Sequence, residues 1–267
     1  MIGEIVIPAR LASTRLPEKL LLNETGMTVL EHTYRACQTA IRPKGITVAV
    51  DHSRLFDAVR QFGGHAQLTD VNAQSGTDRV AEVARSRPDV DLFINVQGDE
   101  PEIAGSSIDA VMSLLESDPL AQVATMATPI RNRKDLEDPA CVKVVRAGDG
   151  AALYFSRSVI PHPRTWDDKL LSHEPAIFLQ HLGLYAYRRD FLLRLDKLRA
   201  SELEQIEKLE QLRFLQSGCR IVVGIVEKSP RGIDTREDYE GFKLRAGTMQ
   251  LLRMQSFPLA LRQRDGN

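Results

Sequence analysis

Cysteine, tryptophan and long apolar runs are scarce in this chain of 267 residues. Its three cysteines, Cys37, Cys141 and Cys219, form no CxxC pair. An odd number of widely spaced cysteines argues against a disulfide framework or a thiolate zinc site, and it favours small buried thiols in a reducing compartment. Because no run of about 18 apolar residues is present, the sequence predicts no transmembrane helix.

A large excess of charge of either sign is also absent. Lys and Arg number 35 and Asp and Glu number 36, so the formal net charge is −1. This balance argues against a protein that coats nucleic acid or acidic membrane, although it leaves room for a local basic pocket. The N-terminus, MIGEIVIPAR, lacks the basic start and long apolar stretch of a secretory signal. We therefore expect a cytoplasmic protein that binds no nucleic acid and does not insert into a membrane.

The first 120 residues alternate between strand-like and helix-like patterns. Hydrophobic residues make up 43% of the chain, enough to bury a sizeable core. The apolar runs 5–7, 46–50 and 92–96 fit buried strands, and residues 65–69 could form another strand. Helical patterns begin near residues 28, 55, 75 and 108. Capping-box spacing at Thr28 and Glu31, and again at Ser75 and Asp78, supports two of these helix starts. The order predicts an α/β fold with a mostly parallel sheet covered by helices on both faces.

The pattern changes after residue 120, where strands follow one another with short connections. The predicted strands are 122–128, 142–146, 151–155, 181–187 and 221–226. Helices are predicted over 203–215 and from Thr235 onward, and a polar loop over 161–172. We expect these strands to extend the first sheet instead of forming a separate domain.

A basic loop follows the first strand. The segment IPARLASTRLPEK, residues 7–19, carries Arg10, Arg15 and Lys19 together with two hydroxyl residues. Open α/β sheets bind ligands beyond the carboxyl ends of their strands, and arginine and lysine are suited to phosphate oxygens. Neither GxxxxGK[ST] nor GxGxxG is present. The loop favours a polyanion site, with an ordinary solvated loop as the alternative.

The same segment is similar to the nucleotide-binding signature of the cytidylyltransferases that activate acidic sugars. The similarity lies in Pro8-Ala9-Arg10, residues 13–17 and Lys19. Later segments resemble the branch of this family that acts on 3-deoxy-manno-octulosonate (KDO). They are NAQSGTDRVAEV, INVQGDEP, ALYFSRSVIP, QHLGLYAYRRDFL, KLEQLRFL and GIDTREDYE. Because the motifs occur in register from residue 2 to about residue 245, the resemblance is specific.

The chain departs from this family pattern at three positions. The family usually has Gly and Pro where this chain has Glu18 and Leu20, and Glu is common where it has Asp78. The carboxylate of Glu18 would weaken phosphate binding by the neighbouring Lys19 unless it points away. Loss of a glycine also removes flexibility from a loop that is expected to close.

The resemblance implies a Rossmann-like nucleotidyltransferase fold, with a central mixed, mostly parallel sheet flanked by helices and a β-rich acceptor and dimerisation region. We expect one domain over residues 1–250, with a nucleotide-binding half (1–120) and a sugar-binding half (121–250), followed by a tail (251–267). The implied reaction transfers CMP from CTP to the anomeric hydroxyl of KDO, releasing pyrophosphate, for lipopolysaccharide biosynthesis. A homodimer is implied too, and Trp166 could anchor the partner or pack locally.

Two acids far apart in the sequence are implied metal ligands. Asp99 follows the strand 92–96, where Gly98 permits a sharp bend, and Asp234 precedes the last helix. The resemblance implies that both hold Mg²⁺ against the triphosphate, although 135 positions separate them. On its own, Asp234 could equally be a favourable charge at a helix N-terminus. Glu100 could support the site from beside Asp99.

The resemblance also assigns the other site residues. Those expected to bind CTP are Pro8, Ala9, Arg10, Arg15, Lys19, Gln74, Ser75 and Gly76. Those expected to bind the sugar are Gln97, Arg157, His181, Tyr185, Glu210 and Gln211. The expected catalytic residues are Arg10, Lys19, Asp99 and Asp234, with Mg²⁺ as cofactor.

The sugar-binding assignments have structural alternatives. A buried stripe of Leu203, Ile206 and Leu209 would place Glu210 at its edge, where a carboxylate must be paired or face a cavity. A salt bridge from Glu210 to Arg213 is the alternative to sugar binding. His181 taken alone could be a structural histidine.

Other functions remain open at this point. One is a cytidylyltransferase for a related acidic sugar, such as 8-amino-KDO or sialic acid. Another is a non-catalytic nucleotide or sugar sensor, which Glu18 favours, and the last is a purely structural interaction protein. A pyrophosphate assay with CTP and a panel of sugars separates them.

Overall fold

The structure is a computed structural model that describes residues 1–227 and 232–255, with side chains up to residue 248. The strands are β1 (Gly3–Ala9), β2 (Gly45–Val50), β3 (Ala66–Leu68), β4 (Leu92–Asn95), β5 (Val123–Pro129), β6 (Lys143–Arg146), β7 (Ala152–Ser156), β8 (Leu179–Arg188) and β9 (Ile221–Ile225). The α-helices are α1 (Val29–Cys37), α2 (Ser53–Gln61), α3 (Gly76–Arg85), α4 (Gly105–Ser117), α5 (Arg133–Glu137), α6 (Arg189–Leu192), α7 (Glu202–Glu207), α8 (Gln211–Gln216) and α9 (Arg236–Gln255).

The described strands form one mixed sheet in the order β3-β2-β1-β4-β8-β5-β9. The first four are parallel, as predicted for the nucleotide-binding half. Strand β8 lies antiparallel between β4 and β5, and β9 pairs parallel with β5. Strands β6 and β7 form a hairpin that joins the sheet through β8. The second half therefore extends the first sheet, as the sequence predicts.

Helices cover both faces of this sheet, and β1 shows why its sequence lacks polar alternation. Ile5 and Ile7 pack into one hydrophobic cluster, and Val6 packs into another. Successive side chains of a strand point to opposite faces, so a strand buried on both faces is apolar throughout.

The predicted helix starts are confirmed by their capping bonds. Thr28 accepts a hydrogen bond from the Glu31 amide at 3.0 Å. Ser75 and Asp78 form a complete capping box at the start of α3. The spacing of Leu30, Tyr34, Cys37 and Ile41 in the sequence predicts one buried stripe along α1, and this prediction is wrong at Ile41. The helix ends at Cys37, and Ile41 is 84% exposed.

The single helix predicted over 203–215 is two short helices, α7 and α8. Lys208 lies between them with φ 54°, in the left-handed region, which ends α7. The predicted buried stripe is therefore wrong. Leu203 and Ile206 are exposed, the latter at 77%, and Leu209 alone of the three is buried. Glu210 immediately precedes α8, as its N-cap residue, and is not on the edge of a continuous apolar face.

Helix α9 runs through Gln255, so the expected tail (251–267) begins inside a helix, and residues 256–267 lie outside the described part of the chain. Within the described residues, no helix combines the length and apolar character needed to cross a bilayer.

Trp166 packs locally in the loop before β8. Its ring stacks on Phe178 with centroids 6.1 Å apart, and the Arg133 guanidinium lies 4.9 Å from the indole centroid. This arrangement corresponds to the local-packing alternative for Trp166.

Candidate functional site

A cavity of about 360 Å³ lies at the carboxyl ends of β1 and β4. The residues that line it are Pro8, Ala9, Arg10, Ala12, Ser13, Lys19, Leu20, Ala73, Gln74, Ser75, Gly76, Arg79, Gln97, Gly98, Asp99 and Asp234. Every residue expected to bind CTP is among them except Arg15, which lies beside the cavity and contacts Asp234. The cavity occupies the position at which open α/β sheets bind ligands.

Two glycines allow the walls of this cavity to approach each other. A Cβ atom at Gly98 would lie 3.1 Å from the carbonyl oxygen of Pro8, so a side chain there would push apart the ends of β1 and β4. A Cβ atom at Gly76 would lie 3.5 Å from the Pro8 ring, in ordinary contact. Gly98 is therefore the position at which the small residue matters more.

Basic and acidic side chains from distant segments meet at the mouth of the cavity. The Lys19 ammonium contacts the Asp99 carboxylate and lies 2.8 Å from Asp234 Oδ1. Arg15 Nη2 lies 3.0 Å from the other oxygen of Asp234. The Ile233 amide donates to the Asp99 carbonyl at 2.9 Å, which holds the two acidic segments together. Asp234 therefore does more than supply charge to the N-terminus of α9.

Lys19 keeps its positive charge at this place. Burial lowers the pKa of Lys19, but the charges and hydrogen bonds of Asp99 and Asp234 together outweigh burial and raise that pKa above its usual value. A fixed cation is therefore held between two carboxylates at the edge of the cavity.

Asp99 and Asp234 also form a donor set that fits one Mg²⁺ ion. Oxygen atoms of both carboxylates converge on a single lysine nitrogen, so a small cation could bind both. In the described part of the chain, no group of three or more His, Cys, Asp or Glu side chains is placed to hold a metal. Two carboxylates suit Mg²⁺, which completes its coordination with phosphate oxygens and water.

Glu100 adds a carboxyl group beside Asp99. Burial and, to a smaller extent, the charge of Asp99 raise the pKa of Glu100 to about 8. Its Oε2 atom is buried and has no hydrogen-bond partner among the described residues. Glu100 is therefore mostly protonated at neutral pH and adds little negative charge next to Asp99.

The departure at Glu18 does not oppose phosphate binding. The Glu18 carboxylate pairs with the Arg54 guanidinium of α2, and one of the two contacts is 2.8 Å. The side chain therefore points away from Lys19, and this contact removes the feature that favoured a non-catalytic sensor.

Arg79 is a cavity residue that the sequence reasoning missed. It is buried, and its Nη1 atom donates to Thr69 Oγ1 and to the Asp70 carbonyl, both at 2.8 Å. Its Nη2 atom lies 3.4 Å from Asp51, which in turn accepts from the Leu11 amide at 2.9 Å. Arg79 and Asp51 thus support the start of the basic loop. The sequence signal that could have identified Arg79 is its spacing. It lies one helical turn after Ser75, which was expected to bind CTP, so both side chains share one face of the helix.

A second group of predicted residues lies on β8, next to Gln97. A Cβ atom at Gly183 would be 3.6 Å from Gln97 Cγ, so this part of β8 lies against the cavity wall. His181 and Tyr185, two residues to either side, have ring centroids 5.3 Å apart. The register of β8 against β5 is irregular between these two residues. Of the predicted sugar-binding residues, Gln97 lines the cavity, and β8 contacts it at Gly183.

Glu210 connects the two regions. Its carboxylate contacts the Thr77 hydroxyl and the Ser75 side chain at the start of α3. It also forms the predicted salt bridge with Arg213, at 3.0 Å. Burial raises the pKa of Glu210, although these partners oppose the shift. The next residue, Gln211, is 4% exposed and does not line the cavity.

Arg157 lies outside the cavity. Its Nε atom donates to the Glu207 carbonyl at 2.7 Å and its Nη1 atom to the Pro139 carbonyl at 2.9 Å. The Glu207 carboxylate accepts from the Arg157 amide at 2.9 Å and from Ser156. Of the predicted sugar-binding residues, Arg157 is the one held mainly by backbone carbonyls.

His181 provides a test by pH. Burial lowers the pKa of His181 to about 3, against an ordinary value near 6.5, and its Nε2 lies 3.0 Å from Thr125 Oγ1. Below pH 6.5 the unfolded chain gains a proton that the folded chain does not, so stability falls as the pH decreases toward 3. Between pH 7 and pH 5 we expect the wild type to lose about 2 kcal/mol more unfolding free energy than His181→Gln.

Urea unfolding at a series of pH values measures this difference. His162→Gln, at an exposed histidine, is the matched control and should follow the wild type. If the unfolding free energies of the wild type and His181→Gln fell equally as the pH decreased, the buried imidazole would not be the cause of the loss of stability in acid.

Comparisons with known proteins agree with this geometry. The sequence profile of the cytidylyltransferase family matches residues 5–221. A 3-deoxy-manno-octulosonate cytidylyltransferase from Rhodopirellula baltica is 53% identical over 90% of this chain and 97% of its own length. The corresponding enzyme of Syntrophotalea carbinolica is 45% identical over 87% of this chain and 94% of its own length.

Solved structures give the same result. The structure of a CMP:2-keto-3-deoxy-manno-octonic acid synthetase complexed with CTP matches with a TM-score of 0.86 at 38% identity. The match covers 93% of this chain and 100% of the other. A cytidylyltransferase from Leptospira borgpetersenii has a TM-score of 0.61 at 15% identity, which shows a shared fold. This chain therefore belongs to the cytidylyltransferase family, is a nucleotidyltransferase, and groups with the 3-deoxy-manno-octulosonate cytidylyltransferases.

Proposed function

We propose that this enzyme transfers CMP from CTP to the anomeric hydroxyl of KDO and releases pyrophosphate, a step of lipopolysaccharide biosynthesis. The observation that carries the proposal is the meeting of Lys19, Asp99 and Asp234 at the mouth of the cavity. The names of the relatives, and the CTP complex of the matching structure, support the choice of substrates.

We assign the nucleoside end of CTP to the part of the cavity formed by the end of β1 and the start of α3. Pro8 and Ala9 end β1, and Gln74, Ser75 and Gly76 lead into the N-terminus of α3. Small residues let backbone amide and carbonyl groups approach the edge of a base. We assign recognition of the cytosine base to these residues.

The triphosphate end meets the positive groups of the loop. Arg10, Arg15 and Lys19 stabilise the charge that develops on the departing pyrophosphate. Phosphoryl and nucleotidyl transfer need little covalent chemistry from the protein, so positioning and charge neutralisation supply most of the acceleration. We therefore assign no general base.

Mg²⁺ is part of the proposal, with Asp99 and Asp234 as its ligands. When bound, the ion would neutralise phosphate charge and make the α-phosphorus more electrophilic. The segments of the two aspartates are joined by the hydrogen bond from the Ile233 amide to the Asp99 carbonyl. The bound ion would therefore lie close to Lys19. We expect EDTA to abolish turnover and added Mg²⁺ to restore it.

The acceptor sugar fits the wall formed by β8 and the start of α8. We assign Gln97, His181, Tyr185 and Glu210 to the acceptor sugar. Gln97 lines the cavity, and the anomeric hydroxyl must reach the α-phosphorus there. Arg157 and Gln211 belong to the same proposal through the family resemblance, with Arg157 as the cation for the sugar carboxylate.

A pyrophosphate-release assay tests the function. With CTP, Mg²⁺ and KDO, pyrophosphate and CMP-KDO should form in equal amounts. UTP and ATP should give at least a tenfold lower kcat/KM, which corresponds to about 1.4 kcal/mol of discrimination. Higher turnover with 8-amino-KDO or sialic acid would reassign the acceptor. CTP binding without pyrophosphate release from any sugar would contradict an enzymatic role.

Glu210→Gln tests the acceptor wall. An amide of the same size loses the negative charge, and its NH₂ group cannot accept hydrogen bonds from Thr77, Ser75 or a sugar hydroxyl. We expect the KM for KDO to rise about tenfold, with the KM for CTP changed by less than about threefold. Steady-state kinetics with each substrate varied separately gives both values.

Glu202→Gln, at an exposed glutamate on α7, is the matched control and should behave as the wild type. Equal increases in both KM values for Glu210→Gln would mean that the residue only supports the start of α3.

A cytoplasmic location and a homodimer complete the proposal, and both were expected from the sequence. Size-exclusion chromatography with light scattering should give a mass of twice the 29.9 kDa chain. A mass of one chain at micromolar concentration would contradict the dimer.

A further inference from the structure

Glu18 has an unusual backbone conformation for its side chain. Its φ is 50° and its ψ is 32°, in the left-handed region, and it precedes the short 3₁₀ turn Lys19–Leu21. A residue with a Cβ atom is strained in this region, which glycine adopts readily. The Glu18 side chain does not cap the turn that follows it. The interaction that compensates for this strain must therefore come from elsewhere in the fold.

That interaction is an ion pair with α2. Both carboxylate oxygens of Glu18 meet the two Nη atoms of Arg54, and the Nη2–Oε2 distance is 2.8 Å. The paired side chains come from segments 36 residues apart. A two-point contact of this kind fixes orientation as well as distance. Each side chain is about half exposed, so the energy of the pair is modest and its geometric effect is the more important one.

The inner side of the same loop is held by apolar contacts. Leu16 and Leu20 are buried at 7% and 5% exposure, and the Lys19 amide donates to the Leu16 carbonyl at 3.2 Å. Leu20 lies against Gly98, the residue before Asp99. Residues 16–20 are therefore held from inside by two leucines and from outside by Glu18, and Lys19 lies between these attachments.

The left-handed residue determines which way the next side chains point. Glu18 contacts α2 on the outside, whereas Lys19 contacts Asp99 and Asp234 at the cavity. A change of φ at residue 18 would rotate Lys19 away from the two carboxylates, because adjacent residues of a tight turn move together.

We propose that the Glu18–Arg54 pair is a positioning device that holds residue 18 in the left-handed conformation and so keeps Lys19 aligned with the triphosphate of CTP. Neither Glu18 nor Arg54 lines the cavity. The proposal rests on the proposed function only in taking CTP as the ligand that Lys19 meets.

A cycle of variants tests the device. Glu18→Gly removes the ion pair and relieves the strain, whereas Glu18→Ala removes the pair and keeps the strain. We expect the KM for CTP to rise about twofold to threefold for Glu18→Gly and about fivefold for Glu18→Ala, with kcat changed by less than about twofold, which is the range an exposed ion pair can supply.

The decisive comparison uses Arg54→Met, which should raise the KM for CTP about threefold to fivefold. In the Arg54→Met variant, Glu18 keeps its strained left-handed backbone but has lost its ion-pair partner. The double variant Glu18→Gly/Arg54→Met should therefore have a lower KM for CTP than Arg54→Met alone. Arg60→Met removes the same charge from an exposed arginine of α2 and should leave the KM unchanged. The proposal is overturned if Glu18→Gly has the same effect with and without Arg54, or if neither single variant changes the KM for CTP.

Two further measurements keep this test separate from the reaction itself. Calorimetric titration with CTP alone should reproduce the order of the variants when no sugar is present. Hydrogen exchange at the Leu21 and Leu22 amides, which donate to the Glu18 and Lys19 carbonyls, should be faster in Glu18→Ala than in the wild type. If the wild type releases no pyrophosphate, the proposed function fails, and these two measurements still decide the positioning role.

Discussion

Asp99→Asn is expected to reduce the kcat for CMP transfer by about a thousandfold, with a melting temperature close to that of the wild type. Asparagine keeps the size of the side chain but loses the charge that Lys19 and a divalent cation both use. Removing one group that stabilises transition-state charge in an active site costs about 100-fold to 1000-fold. The backbone bond from the Ile233 amide to the Asp99 carbonyl does not involve the side chain, so the fold should persist.

The readouts for Asp99→Asn are pyrophosphate release and CTP titration with and without Mg²⁺. We expect wild-type affinity for CTP to rise when Mg²⁺ is added, and the affinity of the variant to rise much less. Asp57→Asn, an exposed acid of α2, is the control with the same charge change. Wild-type turnover in Asp99→Asn would show that the carboxylate is no part of the reaction site.

Lys19→Met is expected to lower kcat/KM for CTP by about 100-fold to 1000-fold. Methionine keeps much of the length and apolar surface of lysine but removes the ammonium group. Asp99 and Asp234 would then face each other without the cation that lies between them, and the triphosphate would lose a fixed positive charge. Lys19→Arg keeps the charge, but its planar guanidinium cannot occupy the place of a compact ammonium, so we expect partial recovery.

Steady-state kinetics with varied CTP checks this result. Lys44→Met, which removes an exposed lysine, should behave as the wild type. If Lys19→Met lowered stability strongly and left the kinetics of the folded fraction unchanged, Lys19 would be a structural ion-pair partner and nothing more.

Much of the nucleotide-binding half was predictable because its signals are local. A strand buried on both faces shows a run such as 5–7, and a helix start shows residues such as Ser75 and Asp78 three positions apart. Both predictions are confirmed. The family motifs named the cavity residues, and the structure places most of them together.

The sugar-binding half was less predictable. The pattern from 203 to 215 suits one helix, yet Lys208 adopts a left-handed conformation that no local residue preference indicates. Arg79 belongs to a helix that would suit a solvated charge equally well. Its burial depends on Asp51, Thr69 and Asp70, which lie in the loops that follow β2 and β3. Preferences of single residues are weak, so contacts between distant segments can override them.

By itself, the sequence determined that this is an α/β protein with a basic loop after its first strand, and its motifs determined its family. Those features depend on neighbouring residues and on side-chain periodicity, which a linear chain displays directly. Only the tertiary structure decided that Asp99 and Asp234 share one lysine, that Glu18 points toward Arg54, and that β8 lies beside Gln97. Each of these depends on a distance between segments far apart in the chain, and such distances are set by how the sheet and its helices pack.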